Sequence, residues 1–261
     1  MEFRQEMTQA SVSPGPGRKP AGNTATGWLK VLALVFMFID HAGKVLFGNM
    51  QEMRILGRIA FPLYVWCMIV GLYYTHNVWL YMLRILIVGL ISQPLYVVAL
   101  NHQWYEPNIF LTLLLGLFAI GGIRDRKYGS HLWAPAFSIA LATLLGANYG
   151  WQGVLFFILL YAAQDSRPAI AAVMVAYFLF WGSTYSVTRS LFGIPLNLDQ
   201  LPLFLSKPLS SFLRMQTYGL LSLPLILIRF PKDLRLPKWV GYAIYPAHLA
   251  LIIALKALMG V

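Results

Sequence analysis

Charge is scarce in this chain, and acid is scarcer still. Of 261 residues only 11% are charged, and 9 Asp+Glu stand against 20 Lys+Arg. A soluble domain carries about a quarter charged residues and cannot hide an apolar fraction this large. Cysteine is nearly absent: the one residue, Cys67, sits inside an apolar run. A single thiol excludes an intramolecular disulfide, no Cys/His cluster has zinc spacing, and no metal site is expected. Cys67 reads as a small apolar filler. The glycines near the N-terminus follow no strand and precede no Gly-Lys-Ser/Thr, which excludes a phosphate loop. No small-residue cleavage pattern follows the first apolar run, so that run is expected to be retained.

What the chain has is apolar side chain, 59% of residues, and a mean hydropathy of +0.65. These values exclude an ordinary soluble enzyme, a disordered chain and a disulfide-stapled secreted domain. They point to an all-α polytopic integral membrane protein. The net charge of +11 would suggest nucleic acid in a soluble protein. Here Lys and Arg fall between apolar runs and orient the chain, so membrane lipid is the expected partner and nucleic acid is not.

Residues 1–27 are polar and rich in Gly, Pro, Ser and Thr, which predicts a disordered cytoplasmic tail. Residues 28–261 form the transmembrane domain, with spans expected near 28–47, 59–75, 78–100, 109–123, 132–147, 150–163, 168–184, 212–228 and 240–259. That is about nine helices. The stretch 185–211 holds Pro195, Asp199, Pro202 and Pro208 and reads as a loop with an interfacial or re-entrant piece, a tenth span being the alternative. Loops 101–108 and 148–149 lack Lys and Arg, whereas the opposite side holds Lys30, Arg84, Arg124, Arg126, Lys127, Arg167 and the basic run 229–238. The positive-inside rule then predicts a cytoplasmic N-terminus. Arg54 and Arg58 break the pattern on the outer side.

An ionisable residue inside a span costs about 2.5–3.5 kcal/mol on insertion scales, so each calls for a role. The first span carries Asp40 and His41. Adjacent residues point about 100° apart, so Asp40 does not orient His41. Asp40 shares a face with Lys44, four residues on, and an ion pair is expected there. Lys30 and His41 lie eleven residues apart, about 16 Å along one helix face. Lys30 then sits near the cytoplasmic surface and His41 deep in the outer half. Imidazole is the usual general base near neutral pH. His248, behind Pro246, is a second intramembrane imidazole. His76, His102 and His131 lie at span ends and read as interfacial.

Further candidates follow from charge. Arg54 and Arg58 share a helical face and would pair with Asp40 or with an anionic oxygen. Glu106, an isolated acid in an outer loop, would bind an amine; a solvated loop is the alternative. Gln93-Pro94 marks a kink. Arg124, Arg126 and Lys127 are either a topology signal or phosphate clamps for a nucleotide-bearing donor.

Several blocks in order carry a resemblance: Lys30 through Asp40-His41-Ala42, Gly57-Arg58-Ile59-Ala60-Phe61-Pro62-Leu63, Trp104-Tyr105-Glu106-Pro107-Asn108-Ile109, Tyr149-Gly150 with Gly153, and Tyr245 through His248-Leu249. Together they resemble the TraX family, the conjugative F-pilin N-acetyltransferases, from about residue 28 to the end. More distantly, the basic residue, ten intervening residues and His of Lys30–His41 resemble the polysaccharide O-acetylating membrane acyltransferases. Arg124 and Lys127 match the spacing of that group's basic pair but not its composition.

The resemblance implies acetylation of the N-terminal amine of a pilin subunit in the bacterial inner membrane, with acetyl-CoA as co-substrate. It implies contacts with conjugation machinery. On this reading His41, Asp40 and His248 carry the chemistry, Lys30, Arg124, Arg126 and Lys127 hold the donor, and Arg58, Glu106 and Asn108 meet the acceptor. Two competitors remain: a transporter or channel, since buried charges and broken helices also mark transport paths, and a non-enzymatic scaffold.

Overall fold

Apolar runs of helical length satisfy their backbone N–H and C=O groups in lipid by bonding within each run. The computed structural model describes residues 18–234 and 237–260, without the side chains of residues 238 and 239. Most of the expected tail, residues 1–17, therefore lies outside the described residues, as do Arg235 and the side chain of Lys238.

The helices are α1 (Thr26–Val45), α2 (Gln51–Gly57), α3 (Ala60–Tyr74), α4 (Val78–Leu100), α5 (Ile109–Asp125), α6 (Ser130–Leu144), α7 (Gly150–Ala162), α8 (Arg167–Gly182), α9 (Leu203–Phe212), α10 (Leu223–Leu227) and α11 (Lys238–Met259). A two-stranded antiparallel hairpin, β1 (Ser190–Leu191) and β2 (Ile194–Pro195), interrupts them. Among the described residues three segments are long and apolar enough to cross a bilayer: Gln51–Tyr74, Val78–Leu100 and Val240–Met259. Helix α1 spans 20 residues but carries Lys30, Asp40 and Lys44.

Helix α3 is apolar on every side and is accordingly buried on every side, from Phe61 through Leu72. Its Trp66 and Leu63 join Phe156, Phe157 and Phe178 in the main core. Helix α1 packs on α2, α3 and α11, and α11 packs in turn on α4. The outer faces of α4 and α6 expose Trp79, Leu90, Ile91, Leu132 and Phe137. Apolar faces of that extent are what lipid solvates and water does not.

Two expectations change. From Arg18 onward the expected tail is docked rather than loose. The indole of Trp66 donates to the Asn23 carbonyl at 2.6 Å, and the Asn23 amide donates to the Leu225 carbonyl at 3.1 Å. A Gly- and Pro-rich stretch makes no helix, but its bare backbone fits against a core: a Cβ on Gly22 would meet the Trp66 ring at 2.6 Å. The expected span 212–228 is also not one α-helix. It is a 3-10 segment, Thr217–Ser222, running into α10. Gly219 packs directly on Phe178 and Gly182 on Thr217, and Pro224 removes a backbone donor. The expected loop 185–211 holds the hairpin and α9, no residue of which is buried.

Candidate functional site

The site begins with a close approach. Gly57 ends α2 against α1, where any Cβ would overlap the Asp40 side chain. That proximity lets Arg58, the next residue, donate to Asp40 Oδ1 at 2.7 Å, while Arg54 donates to Oδ2 at 3.0 Å. Arg58 also donates through Nε to the Arg54 carbonyl at 3.2 Å. The side chains are largely withdrawn from solvent, 12% exposed for Asp40, 11% for Arg58 and 24% for Arg54. The pair expected between Asp40 and Lys44 does not form, because two guanidiniums occupy both carboxylate oxygens.

Lys44 instead reaches His102 Nε2 at 2.7 Å. The other ring nitrogen of His102 meets Glu106 at 2.6 Å, and the ring stacks on Tyr96 with centroids 4.6 Å apart. The Gln103 backbone N–H also donates to Glu106 at 2.9 Å. These two hydrogen bonds, the backbone one foremost, hold the Glu106 carboxyl below its ordinary value. Glu106 is thus not isolated, and His102 is not simply interfacial: it lines the cavity that holds His41.

His41 Nδ1 lies 3.0 Å from His248 Nε2, with the two rings nearly parallel at 20°. One imidazole comes from α1 and the other from α11. His248 Nδ1 makes no hydrogen bond among the described residues. With His41 Nδ1 engaged, Nε2 is the ring nitrogen left for the cavity.

Two cavities meet here. One, about 310 Å³, is lined by Asp40, His41, Lys44, Arg54, Arg58 and Tyr149, among others. The second, about 390 Å³ and mainly apolar, reaches Lys30, Cys67, Tyr81 and Asp233. Tyr64, Ile109 and Tyr245 line both. Lys30 and His41, on one face of α1, therefore look into adjoining chambers separated by those three side chains.

Other expected site residues lie elsewhere. Asn108 is buried as the N-cap of α5, accepting from the Phe110 N–H at 3.0 Å and donating to the Gly89 carbonyl at 2.8 Å. Its capacity is spent inside the fold, and it does not line the His41 cavity. Arg124 donates to the Leu72 and Thr75 carbonyls, both at 3.0 Å, and so closes the end of α3. Arg124 and Arg126 line a different cavity, with Arg18 and Gln164. Lys127 is exposed and lines neither of the two adjoining chambers. None of the three stands with Lys30. Arg54 pairs with Asp40, one of the two partners its position offered; residues that sequence reasoning left out of the site are Lys44, Tyr64, His102, Tyr149 and Tyr245. The spacing of Lys44 to His41 (three apart) and of His102 to Glu106 (four apart) carried a signal; the Tyr64 wall carried none.

Fold and site together define a helical membrane protein with an ionic and imidazole cluster at the junction of two cavities. The model of the TraX protein family matches residues 25–256, and the chain belongs to that family. An uncharacterized protein of Rickettsia prowazekii is 39% identical over 88 residues, 34% of this chain and 33% of its own. The probable fimbrial assembly protein FimC, serogroup H1, of Dichelobacter nodosus is 26% identical over 246 residues, 87% of this chain and 94% of its own. Protein TraX of Escherichia coli K12 is 30% identical over 151 residues, 56% of this chain and 60% of its own. No solved structure matches.

Proposed function

We propose that this protein acetylates the N-terminal amine of a pilin subunit, drawing on acetyl-CoA, as a multi-pass protein of the bacterial inner membrane with its N-terminus in the cytoplasm. One observation carries the reading. His41 lines one cavity with its Nδ1 3.0 Å from His248 Nε2 behind it, and that cavity adjoins a second one reaching Lys30. A donor entering past Lys30 and an acceptor entering past Tyr149 would meet at the shared wall of Tyr64 and Tyr245.

The chemistry follows from the free nitrogen. With the His248 proton on Nδ1, its Nε2 accepts from His41 Nδ1–H. His41 Nε2 then carries a lone pair facing the cavity. An amine attacks only after losing its ammonium proton, which passes to water before the acceptor binds, and the attacking nitrogen sheds a second proton as its bond to the acetyl carbon forms. His41 Nε2 takes that proton. The carbon–sulfur bond breaks, and the departing thiolate receives the proton His41 holds. His248 is a positioning residue in this account, and the Asp40–Arg58 pair fixes α1 against α2. Arg124, Arg126 and Lys127 are left out of the donor site, and Asn108 out of the acceptor site.

The test is mass spectrometry of pilin from cells carrying the native protein or His41→Ala. Acetylated N-termini with the first and free amines with the second, at equal protein levels, are expected. Full acetylation with His41→Ala removes His41 from the reaction. A second reading, a non-enzymatic assembly factor, is favoured by the fimbrial assembly name of the D. nodosus relative; it predicts that His41→Ala is silent while pilus assembly fails on deletion.

A further inference from the structure

The charges around the His41 cavity do not cancel. Its charged lining residues are Asp40, Lys44, Arg54 and Arg58. Lys44 is balanced through His102 by Glu106. Among the described residues Asp40 alone answers both Arg54 and Arg58. One guanidinium is in surplus in a setting where an uncompensated charge is costly. Arg54 is the freer of the two. Among the described residues it makes one side-chain hydrogen bond, Nη1 to Asp40, out of the five N–H donors a guanidinium carries, whereas Arg58 commits both Nε and Nη2.

We infer that the acceptor entering this cavity carries a carboxylate close to its amine, and that Arg54 binds it. The inference rests on the acetyl-transfer reading and adds the acceptor's chemistry. A single surplus positive charge is matched by a singly charged carboxylate; a doubly charged phosphate would overshoot it. The acceptor is then a peptide with an acidic side chain within a few residues of its N-terminus.

The experiment measures binding without donor, so it does not depend on turnover. Full-length protein in phosphatidylcholine nanodiscs is titrated with fluorescent, C-terminally amidated peptides bearing a free N-terminus. A single Asp is moved along the series, and each peptide has an Asn counterpart. A charge-assisted hydrogen bond contributes about 1.5–3 kcal/mol, which is about tenfold or more in affinity. At least one Asp peptide is expected to bind about tenfold more tightly than its Asn counterpart. Arg54→Gln abolishes the difference and Arg54→Lys restores part of it. Arg54→Gln leaves Asp40 and Arg58 paired one to one, which keeps the site electrically balanced. Equal binding of Asp and Asn peptides throughout the series overturns the inference, as does a preference that survives Arg54→Gln. A preference erased by phosphatidylglycerol in the nanodisc assigns the surplus charge to a lipid headgroup and also overturns it. In a separate turnover assay with acetyl-CoA on the same peptides, a loss confined to kcat in Arg54→Gln, with acceptor affinity intact, overturns the inference and moves Arg54 to the transition-state oxyanion. Neutral and acidic peptides acetylated alike leave the acetyl-transfer reading standing while this inference falls.

Discussion

Two guanidiniums on one carboxylate make Asp40 the residue on which the site's electrostatics turn. Asp40→Asn keeps the shape but leaves Arg54 and Arg58 without a counter-ion. Removing one partner of a buried ion pair costs about 3–5 kcal/mol, so a marked fall in thermal stability in detergent is expected. Asp40→Asn with Arg54→Gln should recover part of it, and two simply additive losses would mean the triad is not a unit. His248 makes a different prediction. His248→Ala should lower kcat without abolishing turnover, while His41→Ala abolishes it; equal losses would make both imidazoles catalytic. The residue scale was partly legible in the sequence. Asp40, His41 and Arg58 stand out because lipid penalises them. Lys44 with His102 did not, because their pairing depends on how loop 101–108 folds back across the end of α1.

At the scale of elements, the approach of α1 to α2 depends on Gly57. Gly57→Ala forces a methyl into the space of the Asp40 side chain. Overpacking of this kind costs about 1–3 kcal/mol, so thermal stability and the activity dependent on Asp40 should fall together; a variant with native stability would show the contact to be slack. The docked N-terminal segment gives a second case. Trp66→Phe keeps the ring but strands the Asn23 carbonyl, at a cost of about 1–3 kcal/mol, read as lower thermal stability or faster proteolysis after Arg18. Loop 101–108 gives a pH prediction. Glu106 has a depressed folded value, so its bonds to Gln103 and His102 contribute fully above the ordinary value of 4.5 and fade as pH falls through the depressed one. Protection of the Gln103 amide from hydrogen exchange, corrected for intrinsic rate, should therefore persist at neutral pH and be lost only in acid. Helix positions were legible from apolar run length across most of the chain. The exceptions are α2 (Gln51–Gly57), which falls between the expected spans 28–47 and 59–75, and residues 18–25 and 217–227, where glycine contacts and side chain–carbonyl bonds override local preference.

For the whole molecule, the account divides access between two chambers with a shared tyrosine wall. On the proposed function Lys30 belongs to the donor side, and an exposed cation–phosphate contact contributes about 1 kcal/mol or less. Lys30→Gln should raise KM for acetyl-CoA about threefold to fivefold and leave kcat unchanged; an unchanged KM would place the donor elsewhere. The Lys30–His41 register could be read from helical spacing alone. The chamber boundary could not, because Tyr64, Ile109 and Tyr245 come from three helices whose packing no single-chain periodicity encodes. The most direct measurement is transfer of labelled acetyl from acetyl-CoA to a pilin N-terminus by the purified full-length protein in nanodiscs. Label on the terminal amine with the native protein, and a rate lower by about a hundredfold or more with His41→Gln despite retained donor binding, is the predicted result. No label with the native protein, or an undiminished rate with His41→Gln, would contradict the account.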